Sequence, residues 1–492
     1  MNLYDSLHRE LRRFEPGNPS RVTVYGCGPT VYDYAHIGNF RTFVVYDLLH
    51  RHLRRRGHGV EFVVNFTDVD DKTIDGAAAA GRSLSEHTGP FIEAFLEDAE
   101  TLGFLPVSGH PRATEFIPAM VDFVERLLDA GHAYRAGDGS VYYSVATFGD
   151  YGKLSGKGGE HDARRSRIDT GEFAKADPRD FALWKAAQPT DGEVGAVWDS
   201  PWGPGRPGWH LECSVMVMSL LGDTVDIHVG GEDLLFPHHE NEIAQSEAAS
   251  GHCFARFWMH VKHLKVDDRK MSKSLGNFHT VRELVRDGHD PAAIRWVLLS
   301  AHYRSELNFT TSALADATEA VQRLLDFRRR VTEGEAGDVA EREAGGSVAR
   351  AARSGGDLEE RARQHLAAFD AAMDQDLNVP RALASLWGLV RDGNAALDAP
   401  GGVSGGDRKA VLAALAEMDR TLGVMDLAAR TRDVDDDTSR RIQEMVEARD
   451  RARKVRDFAT ADRLRAELES RGVRLEDTPA GTRWKLVRPP GS

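Results

Sequence analysis

The chain has 492 residues, is 41% hydrophobic and 28% charged, and carries a formal net charge of −14. That length accommodates several domains and a large core, and no apolar run is long enough to span a bilayer. The acidic total disfavours nonspecific nucleic-acid binding over the whole surface but leaves room for a locally basic face.

The opening residues Met1-Asn2-Leu3-Tyr4-Asp5-Ser6 lack the basic-then-apolar pattern of a signal peptide. The cysteines are Cys27, Cys213 and Cys253, a sparse and odd set that argues against a disulfide framework and for a reducing compartment. A cytoplasmic protein is expected.

The first element is a buried strand, Val22 to Tyr25, followed by Gly26-Cys27-Gly28-Pro29-Thr30-Val31-Tyr32-Asp33-Tyr34-Ala35-His36-Ile37-Gly38-Asn39. Beyond it, Phe43, Val44, Leu48 and Leu53 recur at helical spacing. A glycine-rich crossover from strand to helix is where an open α/β sheet places its ligand. Gly38 lets backbone approach a phosphate, the helix N-terminus favours negative charge, and His36 stands at that mouth as a donor. Cys27 puts a soft metal donor on the same loop.

Gly59 to Phe66 is a second buried strand, so strand, helix and strand form a parallel βαβ unit. Thr67 falls at its carboxyl end, on the ligand side. The acids Asp68, Asp70 and Asp71 either cap and start the next helix or contact a ligand. Residues 110–207 read as an insertion, with a helix from Ile117 to Ala130, a hairpin-like pair around Val141 to Ser144, and a loop from Lys153 to Ala176.

The sheet resumes near Gly208-Trp209-His210-Leu211-Glu212-Cys213-Ser214. A strand from Thr224 to Val229 ends in Gly230-Gly231, and Phe236-Pro237-His238-His239-Glu240-Asn241-Glu242 opens a helix, with Pro237 suited to its first position. His238 and Glu242 are one helical turn apart on one face. With Cys27 and Cys213 they are zinc donors by chemistry. By spacing alone they are equally small core cysteines beside a solvated helix face. Further on, Lys270-Met271-Ser272-Lys273-Ser274 is a loop whose ammonium groups can close over a polyphosphate, although such clusters also occur in solvated loops.

From Thr310 to Met425 the pattern is helical and bundle-like, with 333–357 read as a long mobile loop. Val434 to Asp437 reads as a linker or a cap. Arg440 to Ser492 holds 14 Lys+Arg against 9 Asp+Glu on a chain that is otherwise acidic, and is read as two helices and a small hairpin bearing Arg483-Trp484-Lys485. Such a basic module suits RNA, and an arginine beside a tryptophan can bond to and stack on unpaired bases. The alternative is a solvated helix pair with Trp484 as its core plug.

These segments resemble a known family. Pro29 to Asn39 is similar to the HIGH signature of class I aminoacyl-tRNA synthetases, with Asn39 in place of the final histidine, and Lys270 to Ser274 reads KMSKS. The start Tyr25 to Tyr32, Asn65-Phe66-Thr67-Asp68-Val69-Asp70-Asp71, Gly208 to Cys213 and Phe236 to Glu242 resemble cysteinyl-tRNA synthetases in particular, in the same order along most of the chain. Asp457 to Asp462 and Leu475-Glu476-Asp477 resemble the family's anticodon-binding end.

The resemblance implies a Rossmann-like parallel-sheet catalytic domain (1–109 and 208–309) with an insertion (110–207). A helical bundle (310–433) and a small α+β tRNA anticodon-binding module (434–492) follow. It implies that cysteine is activated with ATP to an adenylate and passed to the 3′-terminal ribose of tRNA(Cys). One Zn²⁺ per chain would sit on Cys27, Cys213, His238 and Glu242, reading the substrate as a thiolate, and Mg²⁺ would accompany ATP.

His36, Asn39, Lys270 and Lys273 carry the catalytic roles it implies. Pro29, Thr30, Gly38, Met271, Ser272 and Ser274 join them around ATP, and Thr67, Trp209 and Cys27 belong to the cysteine pocket. Arg483 and Trp484 are candidate tRNA contacts, and a monomer is expected. The rival functions are a cysteine:amino-sugar ligase of the mycothiol pathway, which needs no anticodon module, and a non-catalytic RNA-binding relative, which would be expected to lose signature residues.

Overall fold

Val22–Gly26 (β1) is buried along its whole length, as is most of Val60–Val64 (β2), and both pair in parallel register from Val22↔Val60 to Gly26↔Val64. Between them runs the helix Ile37–Arg55 (α1). The computed structural model describes residues 1–157, 175–271, 277–343, 357–400, 402–432, 436–454, 457–470, 473–478 and 481–486.

After α1 and β2 come Asp71–Ala80 (α2), Leu84–Thr101 (α3) and, in the insertion, Ile117–Asp129 (α4). The chain re-enters the sheet through Trp209–Leu220 (α5), Val225–Gly231 (β3), His238–Ser250 (α6) and Ala255–Val261 (β4). The strand order is β4-β3-β1-β2, all parallel. The order reverses across β1 and β3, and a crevice opens at the carboxyl ends of strands where that happens.

Alternate strand side chains feed two cores, because successive Cβ atoms point to opposite faces. Val22, Val24, Phe62 and Ile227 join α1 and the helical bundle in one. Tyr25, Val63 and Trp258 join α4, α5 and α6 in the other, which also contains Cys27 and Cys213. The insertion therefore packs directly behind the glycine turn.

The insertion holds a sheet that the sequence reading saw only as a hairpin-like pair. Ala133–Arg135, Val141–Tyr143, Phe181–Ala186 and Gly205–Pro207 form four antiparallel strands in that order. The acids after β2 take structural roles. Asp70 caps α2, accepting from Lys72 N at 3.0 Å, and Asp68 accepts from Thr114 N at 3.0 Å and from its hydroxyl at 2.6 Å.

Beyond the sheet, Pro291–Leu299 (α7) leads to a bundle of Thr311–Glu343 (α8), Asp357–Asp374 (α9), Val379–Asp398 (α10) and Gly405–Leu422 (α11). The loop expected over 333–357 is corrected at its start: α8 continues to Glu343, and 344–356 lie outside the described residues. Glu, Ala and Arg sustain a helix by propensity without an apolar stripe. The expected linker at Val434 to Asp437 is also shortened, since Asp436–Lys454 is already helical. With Phe458–Ser470 and the hairpin Val473–Thr478/Gly481–Leu486 it forms a module with its own small core of Ile442, Val446, Leu468 and Val473. No helix of the described residues is long and apolar enough to cross a membrane.

A buried ionic knot ties α1 to the bundle. Asp47 accepts from Arg295 on α7, from Arg51 Nε at 2.7 Å and from Leu105 N at 2.7 Å. Arg295 also donates to Leu422 O at the end of α11, at 2.7 Å. Burial would raise the Asp47 carboxyl, but Arg295 and Arg51 outweigh it and hold it below its ordinary value. Removing one member leaves the other charge buried and unpaired. Asp47→Ala is therefore expected to lower the unfolding free energy by roughly 3–5 kcal/mol, read from a denaturant titration of the full chain; a variant with the parental midpoint would refute it.

Candidate functional site

The glycine turn after β1 is shaped by close backbone contact. Gly28 N donates to Asn65 Oδ1 at 2.8 Å, and a Cβ on Gly28 would lie 1.6 Å from Asn65 O, so only glycine fits. Val31 N donates to Thr67 O and Thr67 N to Pro29 O, each at 3.1 Å, which zips the turn to the end of β2.

His36 then caps α1. Its Nδ1 accepts from Asn39 N at 3.0 Å, and Asn39 Oδ1 accepts from His36 N at 3.1 Å, a reciprocal capping box. Burial lowers the His36 imidazole below its ordinary value. With Nδ1 accepting, a neutral ring carries its proton on Nε2, a donor aimed away from the helix. Asn39, with its oxygen engaged, keeps its amide N–H groups. Asparagine at that position thus serves the cap and still offers a donor.

The segment around Lys270 is joined to this cap. Ile37 N donates to His279 O at 2.9 Å, and His36 bridges Thr280. The Met271 side chain lies so close over Gly38 that a Cβ there would be 2.9 Å from Met271 Cε. Lys270 lies on a two-residue strand paired with Lys265. Ser272, Lys273 and Ser274 lie outside the described residues.

One cleft of about 890 Å³ unites these parts. From the first turn it is lined by Cys27, Pro29, Thr30, His36, Gly38 and Asn39; from the segment just beyond β2 by Thr67. From the second half of the sheet come Trp209, Cys213 and His238, and from the lysine segment Lys270 and Met271.

At the cleft floor Cys27, Cys213, His238 and Glu242 are all buried, with donor atoms within 4.8 Å of one another. Cys27 Sγ is 3.9 Å from Cys213 Sγ and 3.8 Å from Glu242 Oε1, and His238 Nε2 is 3.0 Å from Glu242 Oε1. The helix α6 that presents His238 and Glu242 starts at His238. Pro237 stands just before it, joined by a cis peptide to Phe236, rather than at the first helical position.

The electrostatics divide this set: Cys213 and Glu242 are pushed toward the anions that bind a metal, whereas Cys27 is pushed toward its thiol and His238, against burial and by Glu242 and Cys213, up to about 10. The hydrogen bond from Cys27 brings the Cys213 thiol down to about 6, against burial and Glu242 and with help from His238. Burial would raise the Glu242 carboxyl, but His228 and His238 hold it well below its ordinary range. Burial raises Cys27, and the contacts with Cys213 and Glu242 add to that. Two sulfurs, an imidazole and a carboxylate on rigid elements suit a soft-to-borderline cation.

Several residues around the set escaped the sequence reading. His228 Nε2 lies 2.8 Å from Glu242 Oε2 and aims the other carboxylate oxygen inward, while its ring stacks on Trp258 at 4.5 Å. A histidine in a strand of buried Val and Ile was the available signal. His239 Nε2 lies 3.3 Å from Cys27 Sγ, so Cys27, His228, His239 and Glu242 form a second, overlapping donor group. His210 Nδ1 is 3.0 Å from His238 Nδ1, and Trp209 stacks on His238 at 4.3 Å and 20°.

Arg483 and Trp484 lie on the last hairpin, opposite Glu476 and Leu475 in its register, and their side chains are outside the described residues.

Residues 13–319 match the family described as tRNA synthetases class I (C) catalytic domain, and residues 368–428 match the DALR domain. A cysteine–tRNA ligase of Solibacter usitatus is 46% identical over 485 residues, covering 99% of each chain. One of Chlamydia muridarum is 44% identical over 494 residues, again with 99% of each chain covered. Among solved structures, the Mycobacterium tuberculosis methionyl-tRNA synthetase in complex with methionyl-adenylate has a TM-score of 0.59 at 15% identity, covering 84% of this chain and 91% of that one. At that identity it speaks for the fold alone.

Proposed function

The chain belongs to the cysteine–tRNA ligase family, and from that premise we propose that it condenses cysteine with ATP to cysteinyl-adenylate and pyrophosphate, then passes the cysteinyl group to the 3′-terminal ribose of tRNA(Cys). The supporting observation is convergence: the capped turn at His36, the lysine segment at Lys270 and the buried Cys/Cys/His/Glu set all meet in one cleft.

The substrate carboxylate is already a nucleophile, so the chain needs to position and stabilise rather than attack. His36 Nε2–H and the Asn39 amide donate to α- and β-phosphate oxygens. The α1 N-terminus adds its partial positive charge. Lys270 and Lys273 meet the charge that develops on the departing pyrophosphate, and Mg²⁺ enters with ATP.

The buried donors of Cys27, Cys213, His238 and Glu242 fit one Zn²⁺, and His228 orients the carboxylate among them. When bound, zinc supplies a soft Lewis acid that favours a thiolate over the harder hydroxyl of serine. Thr67 and Trp209 border the pocket where the cysteine side chain would lie. A module rich in Lys and Arg, 434–492, takes the anticodon end of the tRNA.

Cysteine-dependent ATP–pyrophosphate exchange, followed by acceptor tests with tRNA and with an amino sugar, checks this reading. Exchange and tRNA charging are expected; transfer to the amino sugar alone would replace the acceptor. Lys273→Ala is expected to slow single-turnover adenylate formation by ~10²-fold while cysteine binding persists, since its charge acts on the transition state. A rate equal to the parent would remove Lys273 from that role.

A further inference from the structure

The exposed aromatic side chains among the described residues are Tyr32, Tyr34 and Phe458, and the first two stand together on the rim of the cleft. Tyr32 is 41% and Tyr34 42% exposed, on the loop that links the glycine turn to α1. The adenylate chemistry derived above uses neither ring. Two apolar rings held open to solvent beside a substrate cleft mark a surface built for contact.

The loop holds them in place. Tyr34 takes the edge of Phe91 at 5.2 Å and carries the Arg282 guanidinium over its ring at 4.9 Å. Arg282 is itself tied to α3 through Ala94 O at 2.6 Å and Asp98 Oδ2 at 3.3 Å. Tyr32 has the Lys72 ammonium 5.1 Å from its ring centroid, and Lys72 forms no close ion pair among the described residues, although its charge also acts on the Asp70 carboxyl. Lys72 sits in the first turn of α2 next to Asp71, which pairs with Lys185 and Arg206 of the insertion sheet. The rim therefore connects the cleft to the insertion and carries a cation next to an open ring.

A π-face beside an unpaired ammonium recognises an unpaired nucleotide, the base by stacking and the phosphate by charge. We infer that Tyr32, with Lys72, is a platform on which the unpaired 3′-terminal nucleotides of the acceptor RNA stack while the terminal ribose enters the cleft. Tyr34 buttresses the same loop. The platform rests on the proposed function, since it presumes an RNA acceptor, and it adds the residues that seat its end.

The test uses the full chain as parent, Tyr32→Ala and Tyr32→Phe, with tRNA carrying 2-aminopurine in place of its terminal adenine. Tyr32→Ala is expected to raise the KM for tRNA roughly tenfold and to relieve the quenching of 2-aminopurine on binding, the scale of losing one stacked base. Tyr32→Phe keeps the ring and should keep both parental values. The KM for ATP and for cysteine in pyrophosphate exchange should not move in either variant. A parental tRNA KM in Tyr32→Ala would overturn the platform, as would a raised KM for ATP, which would give the ring to the nucleotide site. The fluorescence arm needs no catalysis. It decides the platform even where the parent fails to exchange pyrophosphate, an outcome that would overturn the function instead.

Discussion

Cys213→Ser, purified without chelators, is expected to carry far less than one zinc per chain and to lose roughly 10³-fold in kcat/KM for cysteine-dependent pyrophosphate exchange, nearly all of it through the KM for cysteine. Cys213 is buried, 3.9 Å from the other sulfur, and its thiol is the one the surroundings bring down to about 6. Serine is close in shape, so the fold should persist, but its hydroxyl is a hard donor that stays protonated. The KM for ATP should hold, because the phosphate donors at His36 and Asn39 sit at the N-terminus of α1, whereas Cys213 sits on α5. Elemental analysis and exchange kinetics read the two effects separately. Cys253→Ser serves as control, since that thiol is exposed and lies outside both buried donor groups. A folded Cys213→Ser protein with full zinc, or with the parental cysteine constant, would end the thiolate-recognition reading.

What could be read from the residues followed burial. The strands at Val22 and Gly59 are rich in Val, Tyr and Phe on both faces because a parallel sheet is covered on both sides, and such runs are legible without partners. Donors on one helix, His238 and Glu242, were legible because their spacing alone puts them on one face. The antiparallel sheet of the insertion was not: Ala133–Arg135 and Gly205–Pro207 are three-residue strands, too short for an alternating pattern, and the pairing that joins its two halves, Val141–Tyr143 with Phe181–Ala186, spans a long stretch of chain. His228 was passed over because a strand residue meets its partner through tertiary packing, here Glu242 from the next helix. At His36 the residues suggested a phosphate donor, and the fold adds a reason for its geometry. The reciprocal cap with Asn39 fixes which ring nitrogen is engaged, and so which one is available.

Removing residues from Arg440 onward should separate the two half-reactions. The helices and hairpin of the C-terminal module enclose a core of Ile442, Val446, Leu468 and Val473 that is distinct from the cores on either side of the parallel sheet. Their loss therefore takes no side chain from the cleft floor or from the capped turn. Cysteine-dependent pyrophosphate exchange by the truncated chain should match the parent. Charging of tRNA should fall on the order of 10³-fold in kcat/KM, through weaker binding, if the module holds the anticodon end by phosphate contacts. The removed segment carries 14 Lys+Arg against 9 Asp+Glu while the chain as a whole is −14, so the attraction for RNA is concentrated there. Binding by the full chain should consequently weaken steeply with salt, as lysines and arginines displace counterions from the phosphates, and the truncated chain should show a shallower slope. Filter binding and charging of both chains over a salt series read this directly. Equal charging by the two chains would remove the module from tRNA recognition, and equal salt slopes would place the phosphate contacts elsewhere on the protein.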